Sequence, residues 1–443
     1  MPGPFVVPVH GDIELPKEVD CVVIGGGIVG ASTALELAES GLRVALCEKG
    51  GIGQEQSSRN WGWIRISRRD PREIPLMAEA LRIWPTLSAR TGRDTGYVRA
   101  GIVFTCTSDR ESEQYANWLH HLKDYQFESR MISSAQLANI LPGSNLNASS
   151  ALYTPADSRA EPQRATSAIA EAARERGAAI LTECAVRGLE ITNGEVSGVI
   201  TERGFISCKS VVLAGGAWSS LFCGALGLHL PQLKVMNTVF RTTPIKKGPE
   251  HAVWAKNFAM RKCQDGGYTM ASLTSSVVDI VPDSIRFIGA FFPALKSWWR
   301  SLNFRLGSRF VEEAKMATRW RMDEASPFEY CRVLDPKPSM KHPEITLSNA
   351  REAFPCFDNA KIAQRWAGYM DVTPDAIPII SAVDPIPGFY LATGFSGHGF
   401  GIGPAAGKLM ADIVTGRAAT VDPTDFRWSR FSDGSKITLI DSI

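Results

Sequence analysis

Apolar and polar positions follow two repeats along this chain, and the change from one to the other marks its elements. Cys21-Val22-Val23-Ile24 is a short apolar, β-branched run that breaks at Gly25-Gly26-Gly27-Ile28-Val29-Gly30. A helical pattern follows, closed by Gly41, and a second apolar run from Leu42 to Cys47 ends on Glu48. A glycine- and serine-rich loop (50–62) then precedes a helical run over 72–90, a strand over 101–105 and an amphipathic helix over 111–125. A further helix begins with Pro162 in its first turn and stops at Gly177. Strands are expected over 179–182 and 186–192, with Asn193-Gly194 as a hairpin turn into 196–201. Ser210-Val211-Val212-Leu213 reads as a buried strand, the stretch 230–290 as short strands and turns, and 388–394 as a strand entering a glycine loop. The last helix is expected from Pro404 to Val414, capped by Gly416.

Strand, glycine turn, helix, strand and acid in register from Asp20 to Glu48 form a βαβ dinucleotide fingerprint. Gly25 permits the tight turn, Gly27 lets a pyrophosphate approach the backbone, and Gly30 lets helix and strand pack closely. The pyrophosphate is expected on the positive end of the helix that begins near Ile28 and Val29. Glu48, 18 residues past Gly30, is placed to accept from ribose hydroxyls. Its charge repels a 2′-phosphate, which points to FAD or NAD rather than NADP.

The 443 residues suffice for two domains, and 44% apolar with 21% charged residues is the balance of an ordinary soluble protein. A formal charge of +2 without a Lys/Arg-rich block gives no case for nucleic acid. Nine scattered cysteines show no metal spacing and read as free thiols in a reducing compartment. With no signal-like N-terminus over 1–19, the cytoplasm is expected, and no metal.

One segment raises a membrane question. From Ile285 to Phe310 the chain carries many large apolar residues, including Trp298-Trp299, but Arg286, Lys296, Arg300, Arg305 and Arg309 interrupt it too often for a span. It reads either as a helix touching a membrane surface or a redox partner, or as an amphipathic helix covering another part of the protein. Exposed tryptophan pairs are uncommon on soluble enzymes, which favours the second reading.

Further along, Ser57-Ser58-Arg59-Asn60, Val211-Val212-Leu213-Ala214-Gly215-Gly216-Ala217-Trp218, Arg365-Trp366-x-Gly368, Thr373-Pro374-Asp375 and Gly394-Phe395-Ser396-Gly397-His398-Gly399-Phe400 follow the fingerprint in order. In this order the chain resembles the FAD-dependent D-amino-acid, glycine and sarcosine oxidase family over most of its length. The resemblance implies an α/β fold: a discontinuous Rossmann-like FAD-binding domain (17–100, 150–225 and 360–443) with an inserted, mainly antiparallel-sheet substrate domain (101–149 and 226–359). It implies cofactor contacts at Gly25, Gly27, Ile28, Val29, Gly30, Glu48, Lys49, Ser57, Ser58, Arg59, Asn60, Val186, Ala214, Gly215, Trp218, Gly368, Gly397, His398, Gly399, Phe400 and Gly401. Physically, a helix N-terminus near the flavin N1–C2=O edge supplies the positive potential that a reduced ring needs. The glycines from 397 to 403 let backbone approach the ring.

Similarity to monomeric sarcosine oxidase adds roles. Gly62-x-x-Arg65-x-x-Arg68 matches a stretch in which one arginine lies against the flavin and the next binds the substrate carboxylate. By that match Arg65 is the flavin-side residue and Arg68 the carboxylate clamp, since a guanidinium donates two parallel hydrogen bonds. His398 and Arg365 complete the catalytic candidates. Three departures stand out. Gly368 replaces the cysteine that tethers flavin, so FAD is expected to be non-covalent. Gly401 replaces a lysine, so a second carboxylate contact must come from elsewhere. The lysine credited with oxygen activation falls near Thr269, which leaves a dehydrogenase open beside an oxidase.

The implied reaction is oxidation of the Cα–N bond of an amino acid or N-substituted glycine, with hydride passing from the α-carbon to flavin N5 and the imine hydrolysing in water. A secondary amine diacid such as iminodiacetate is one expected substrate, with Arg68 holding one carboxylate and Arg159 or Arg365 the other. The alternatives are a dehydrogenase that passes electrons to a protein or quinone through the Trp298-Trp299 face, and a non-catalytic flavin-binding protein. The expected partners are a small amine or amino acid, with oxygen or a redox partner as acceptor.

Overall fold

In the computed structural model, residues 3–299 and 302–440 are described. The first apolar run forms the central strand Cys21–Ile24 of a six-stranded sheet. Across that sheet the order is Ile379–Ala382, Phe389–Thr393, Ser210–Leu213, Cys21–Ile24, Val44–Cys47 and Ala179–Leu181. All neighbours are parallel except the edge pair Ile379–Ala382 and Phe389–Thr393. Such strands are covered on both faces, which is why the sequence shows unbroken apolar runs rather than alternation. Helices Ile28–Glu39, Ile74–Thr91, Pro162–Glu175 and Gly399–Thr415 bury their apolar sides in a core on one face. A three-stranded sheet (Val186–Thr192, Glu195–Thr201, Gly204–Ser207) contributes to the core on the other. Its first turn is the expected hairpin, with Asn193 and Gly194 at φ 54° and 87°, the left-handed pair that a two-residue hairpin turn needs.

The second sheet has ten strands and is mostly antiparallel. Its longest pairing joins Leu233–Thr242 to Ile362–Val372, with Asn237 opposite Gly368. The strands Ser150–Thr154 and Ile362–Val372 lie within segments expected to belong to the cofactor domain, yet both are built into this second sheet.

Two helices differ from expectation. The C-terminal one begins at Gly399, with His398 at its N-cap, rather than at Pro404. Proline lacks an N–H and so looks like a first-turn residue, but here the helix runs through it. The stretch 285–310 is not one helix. It is divided among helices Pro282–Arg286, Ile288–Trp298 and Ser308–Lys315 and the short strand Asn303–Arg305. Buried Phe287 separates the first two, and Arg300 lies outside the described residues. Among the described residues no helix is long and apolar enough to cross a membrane.

Candidate active site

A cavity of about 760 Å³ runs from the carboxyl ends of the parallel strands to the second sheet. This is where open parallel sheets bind ligands. The fingerprint forms one end. Gly25 takes φ 107°, and a Cβ there would stand 2.4 Å from the Ala214 carbonyl oxygen. At Gly30 a Cβ would meet the Gly25 carbonyl oxygen at 1.9 Å. Gly30 is therefore a packing residue and does not line the cavity. Gly27 differs: among the described residues, its chain neighbours aside, Ser57 Oγ at 3.1 Å is the one atom within 4 Å of its absent Cβ, and the position lines the cavity. Gly26 is tighter than its place in the motif suggests, with Ile52 Cδ1 at 2.5 Å and Glu48 Cβ at 3.0 Å from a Cβ.

Glu48 accepts from the Gly26 N–H at 2.7 Å and the Gly50 N–H at 2.8 Å, which fixes its carboxylate at the cavity edge. Burial raises its pKa. Ser57 Oγ accepts from the Ile28 N–H at 2.8 Å, at the start of the helix. Asn60 ties off the same loop, donating to the Ser57 carbonyl at 2.9 Å and accepting from the Gly62 N–H at 2.7 Å. Ser58 is fully buried and stands behind the wall. Arg59 pairs with Asp335 at 2.6 Å and donates to the Ala367 carbonyl at 2.9 Å, tying its helix to the second sheet. Lys49 lines the cavity, but its ammonium is held by Glu55 at 2.7 Å and by two carbonyls, 4.6 Å from the Trp218 ring centroid. Ile28, Val29, Val186, Ala214, Gly215, Trp218, Gly368, Gly397, His398, Gly399, Phe400 and Gly401 all line the same space. A Cβ at Gly368 would stand 3.1 Å from Arg59 Cβ.

The catalytic candidates divide. Arg65 is buried in the cavity wall and donates to the Ser67 carbonyl. His398 is buried there too, its Nδ1 2.9 Å from Glu73 Oε2. Burial and the neighbouring Arg69 guanidinium lower the His398 pKa, so the ring is neutral at pH 7. Arg68 does not line the cavity. It sits at φ 55°, with its guanidinium 4.6 Å from the Tyr115 ring centroid and 5.8 Å from that of Phe104. The backbone at Arg68 is left-handed, and Arg69, one residue on, lines the cavity. Arg365 is paired with Glu344, and Arg159 with Glu250; neither reaches the cavity. Thr269 faces a different cleft, beside Cys263.

Several cavity residues carry no motif of their own. Asp371 is buried, accepts from the Gly394 N–H at 2.8 Å and from Gln232 at 3.3 Å, and burial pushes its pKa up to about 6. Trp61, Trp63 and Trp254 pack together, with ring centroids 5.5–6.1 Å apart, and form an aromatic wall. Ile288, Phe291, Leu295, Trp298 and Phe304 add apolar surface, so these residues of the 285–310 segment cover the cavity. Residues 61–63 and strand Ala252–Trp254 are far apart in sequence. Only the run of tryptophans in Asn60-Trp61-Gly62-Trp63 hinted at the wall. Among the described residues no group of three or more His, Cys, Asp or Glu could hold a metal ion.

Comparison with known proteins gives one answer at three levels. The chain is 33% identical to the solved structure of L-amino acid deaminase from Proteus myxofaciens in complex with anthranilate. That match covers 96% of this chain and 97% of the other, with a TM-score of 0.93. It is 26% identical to glycine oxidase from Pseudomonas aeruginosa, over 91% of this chain and 97% of that protein. It is also 24% identical to human mitochondrial sarcosine dehydrogenase, over 91% of this chain, of which it spans only 40% of the length. The model of the FAD dependent oxidoreductase family matches residues 20–413. The glycine cradle, the open space at Gly27 and the fixed Glu48 carboxylate fit FAD, and the chain belongs to the FAD dependent oxidoreductase family.

Proposed function

We propose that this protein oxidises the Cα–N bond of an amino acid with a large apolar side chain, using FAD held without a covalent bond. The observation that carries this reading is the continuity of one cavity from the dinucleotide fingerprint to the wall of Trp61, Trp63 and Trp254. Glycine or sarcosine would leave that wall unfilled, and apolar surface left in water forfeits about 25 cal/mol per Å². The similar deaminase structure carries anthranilate, an aromatic carboxylate. A diacid such as iminodiacetate finds less support, because Arg159 and Arg365 are committed to glutamates outside the cavity.

When bound, FAD supplies the two-electron acceptor for the substrate's α-carbon hydrogen. The chain's own residues bind, orient and exclude water. The N-terminus of helix Gly399–Thr415 brings positive potential to the cavity, and Arg65 and Arg69 add charge. With His398 Nδ1–H donating to Glu73, Nε2 is left as a neutral acceptor in the wall. A neutral amine then needs no strong base, and catalysis rests on orientation. The apolar cover of Ile288, Phe291, Leu295, Trp298 and Phe304 keeps bulk water from the reacting carbon until the imine leaves for hydrolysis.

A second reading concerns the acceptor. Among the described residues Lys49 is the one lysine lining the cavity, and Glu55 holds it. The position of the expected oxygen-activating lysine faces another cleft. This favours a dehydrogenase that hands electrons to an acceptor other than oxygen. The test is anaerobic flavin bleaching by both enantiomers of phenylalanine and leucine, and by glycine, sarcosine and iminodiacetate, followed by admission of oxygen. Faster bleaching by glycine, sarcosine or iminodiacetate than by phenylalanine and leucine would overturn the substrate reading. Rapid peroxide formation would overturn the acceptor reading.

A further inference from the structure

The three tryptophans of the cavity wall are held in different ways. Trp254 ends strand Ala252–Trp254, where it pairs with Ala259, and Trp63 begins strand Trp63–Ile64, where it pairs with Arg159. Trp61 lies outside both strands. Its carbonyl accepts from Arg261 Nε at 2.7 Å. Arg261 belongs to strand Ala259–Lys262, the antiparallel neighbour of the strand that carries Trp254. One side chain thus ties Trp61 to the strand pair behind the neighbouring ring. The Trp61 and Trp254 ring centroids stand 5.6 Å apart, with 48° between the ring planes.

Arg261 is 1% exposed, and the rest of its guanidinium is fixed by an acid. Nη1 donates to Glu161 Oε1 at 2.7 Å and Nη2 to Glu161 Oε2 at 3.1 Å, a bidentate pair. Glu161 is itself anchored at the start of helix Pro162–Glu175: its N–H donates to the Thr95 carbonyl at 3.0 Å, and Oε1 also accepts from the Gln264 N–H at 2.9 Å. Gly62 leaves room for the guanidinium. It takes φ 75°, and a Cβ there would stand 2.8 Å from Arg261 Nε and 2.6 Å from the Ala160 carbonyl oxygen. A buried ion pair adds little stability over apolar side chains of similar volume. What apolar side chains cannot do is donate to the Trp61 carbonyl and hold it in one place.

We propose that Arg261, locked by Glu161, is a positioning residue for substrate selection: it fixes Trp61 at its spacing from Trp254 and thereby sets the preference for an aromatic side chain over a small one. The inference rests on the reading that the tryptophan wall receives the substrate's side chain, and deepens it by naming what holds the wall. Arg261 touches neither the substrate nor the cofactor in this account. It acts through the Trp61 backbone, so its removal loosens one ring and leaves the reacting end of the cavity as it was.

The test uses the FAD-loaded protein and compares anaerobic flavin bleaching by phenylalanine and by alanine of the same configuration. A second readout without turnover is the Kd of 3-phenylpropionate, followed through the flavin absorbance. Arg261→Met alone strands Glu161 in the interior, so the decisive variant is the double Glu161→Leu, Arg261→Met, which removes the pin and both charges together. It is expected to keep the parent's FAD content and to melt at or near the parent's temperature. Its phenylalanine-to-alanine ratio of bleaching constants should fall by about tenfold or more, and its 3-phenylpropionate Kd should rise to match. Arg261→Lys, which keeps the charge without the planar fork, should fall between the two. Placed on a Trp61→Ala background, the double change should alter the ratio by less than about twofold, because the residue it acts through is gone. An unmoved ratio in the double variant overturns the proposal, as does an equal loss for both substrates or a full effect without Trp61. Loss of FAD from the double variant also overturns it, by assigning the pair to the cofactor. A parent bleached faster by alanine than by phenylalanine fails the reading of the wall itself. A parent that prefers phenylalanine, with an unmoved double variant, sinks the positioning role alone.

Discussion

Replacing glycines of the fingerprint one at a time separates cofactor binding from folding. A Cβ at 27 would stand 3.1 Å from Ser57 Oγ, and the position borders the cavity. Gly27→Val should therefore fold with little loss, within about 1 kcal/mol of the parent apoprotein. Its cost falls on the pyrophosphate, which is pushed away from the N–H groups at the start of helix Ile28–Glu39. Losing two charge-assisted hydrogen bonds of about 1.5–3 kcal/mol each weakens FAD by roughly 10²- to 10⁴-fold. Gly30→Ala behaves in the opposite way. Its methyl would lie 1.9 Å from the Gly25 carbonyl oxygen, which belongs to a turn pinned by the Gly25 N–H donating to Cys47 O at 2.8 Å. Backbone must move by more than about 1 Å to reach van der Waals contact, at or beyond the 1–3 kcal/mol typical of overpacking. The assay is thermal unfolding of apoprotein with and without FAD. At about 100 times its Kd, FAD adds about 2.7 kcal/mol to the parent. Gly27→Val should keep the apoprotein melting temperature and lose the FAD-induced rise, whereas Gly30→Ala should melt lower in both conditions. An FAD affinity for Gly27→Val within about threefold of the parent would refute the placement of the pyrophosphate.

Acid precipitation of the purified holoprotein should release FAD into the supernatant, because Gly368 offers no thiol and leaves only 3.1 Å between a Cβ and Arg59; flavin pelleting with the polypeptide would contradict this. Asp371→Asn should alter the pH dependence of stability. The parent's carboxyl shifts from 3.8 unfolded to about 6 folded, a penalty of about 3 kcal/mol that is fully present above the folded value and gone below 3.8. Parent stability relative to the variant should therefore rise as pH falls through 6 in urea titrations, and a pH-independent difference would count against a desolvated carboxyl. Arg430→Ala should cost about 3–5 kcal/mol, since it strips buried Asp375 of contacts at 2.9 and 3.2 Å. A melting temperature equal to the parent's would show that Asp375 finds another partner.

The sequence made the parallel core readable because its strands are covered on both faces and its turns need glycine. Cys21 to Glu48, the Asn193-Gly194 hairpin and Ser210 to Leu213 follow directly from that. Spacing does not carry where one side chain points. The left-handed backbone at Arg68 turned the expected clamp onto Tyr115 and brought Arg69 to the cavity, a change of facing that spacing alone does not carry. Pro404 imitated a helix start that lies at Gly399. Arg159 and Arg365 carry the right charge for a carboxylate, but tertiary neighbours from other segments, Glu250 and Glu344, claim them. The tryptophan wall joins residues 61–63 to the distant strand Ala252–Trp254, so its only local hint is the run of tryptophans itself, and Asp371 carries no local signal at all.

The pairing of Leu233–Thr242 with Ile362–Val372 has a consequence for how the chain is made. Asn237 and Gly368 face each other across that ladder and both line the cavity, although 131 residues separate them in sequence. The cofactor sheet has the same property, since Ser210–Leu213 waits for Phe389–Thr393. A ribosome that has released three quarters of the polypeptide has therefore completed neither sheet, and unsatisfied strand edges stay open until the last segments emerge. Long-range closure of this kind is slow and leaves nascent material prone to aggregation. A truncation before 389 should yield insoluble protein rather than a smaller flavoprotein.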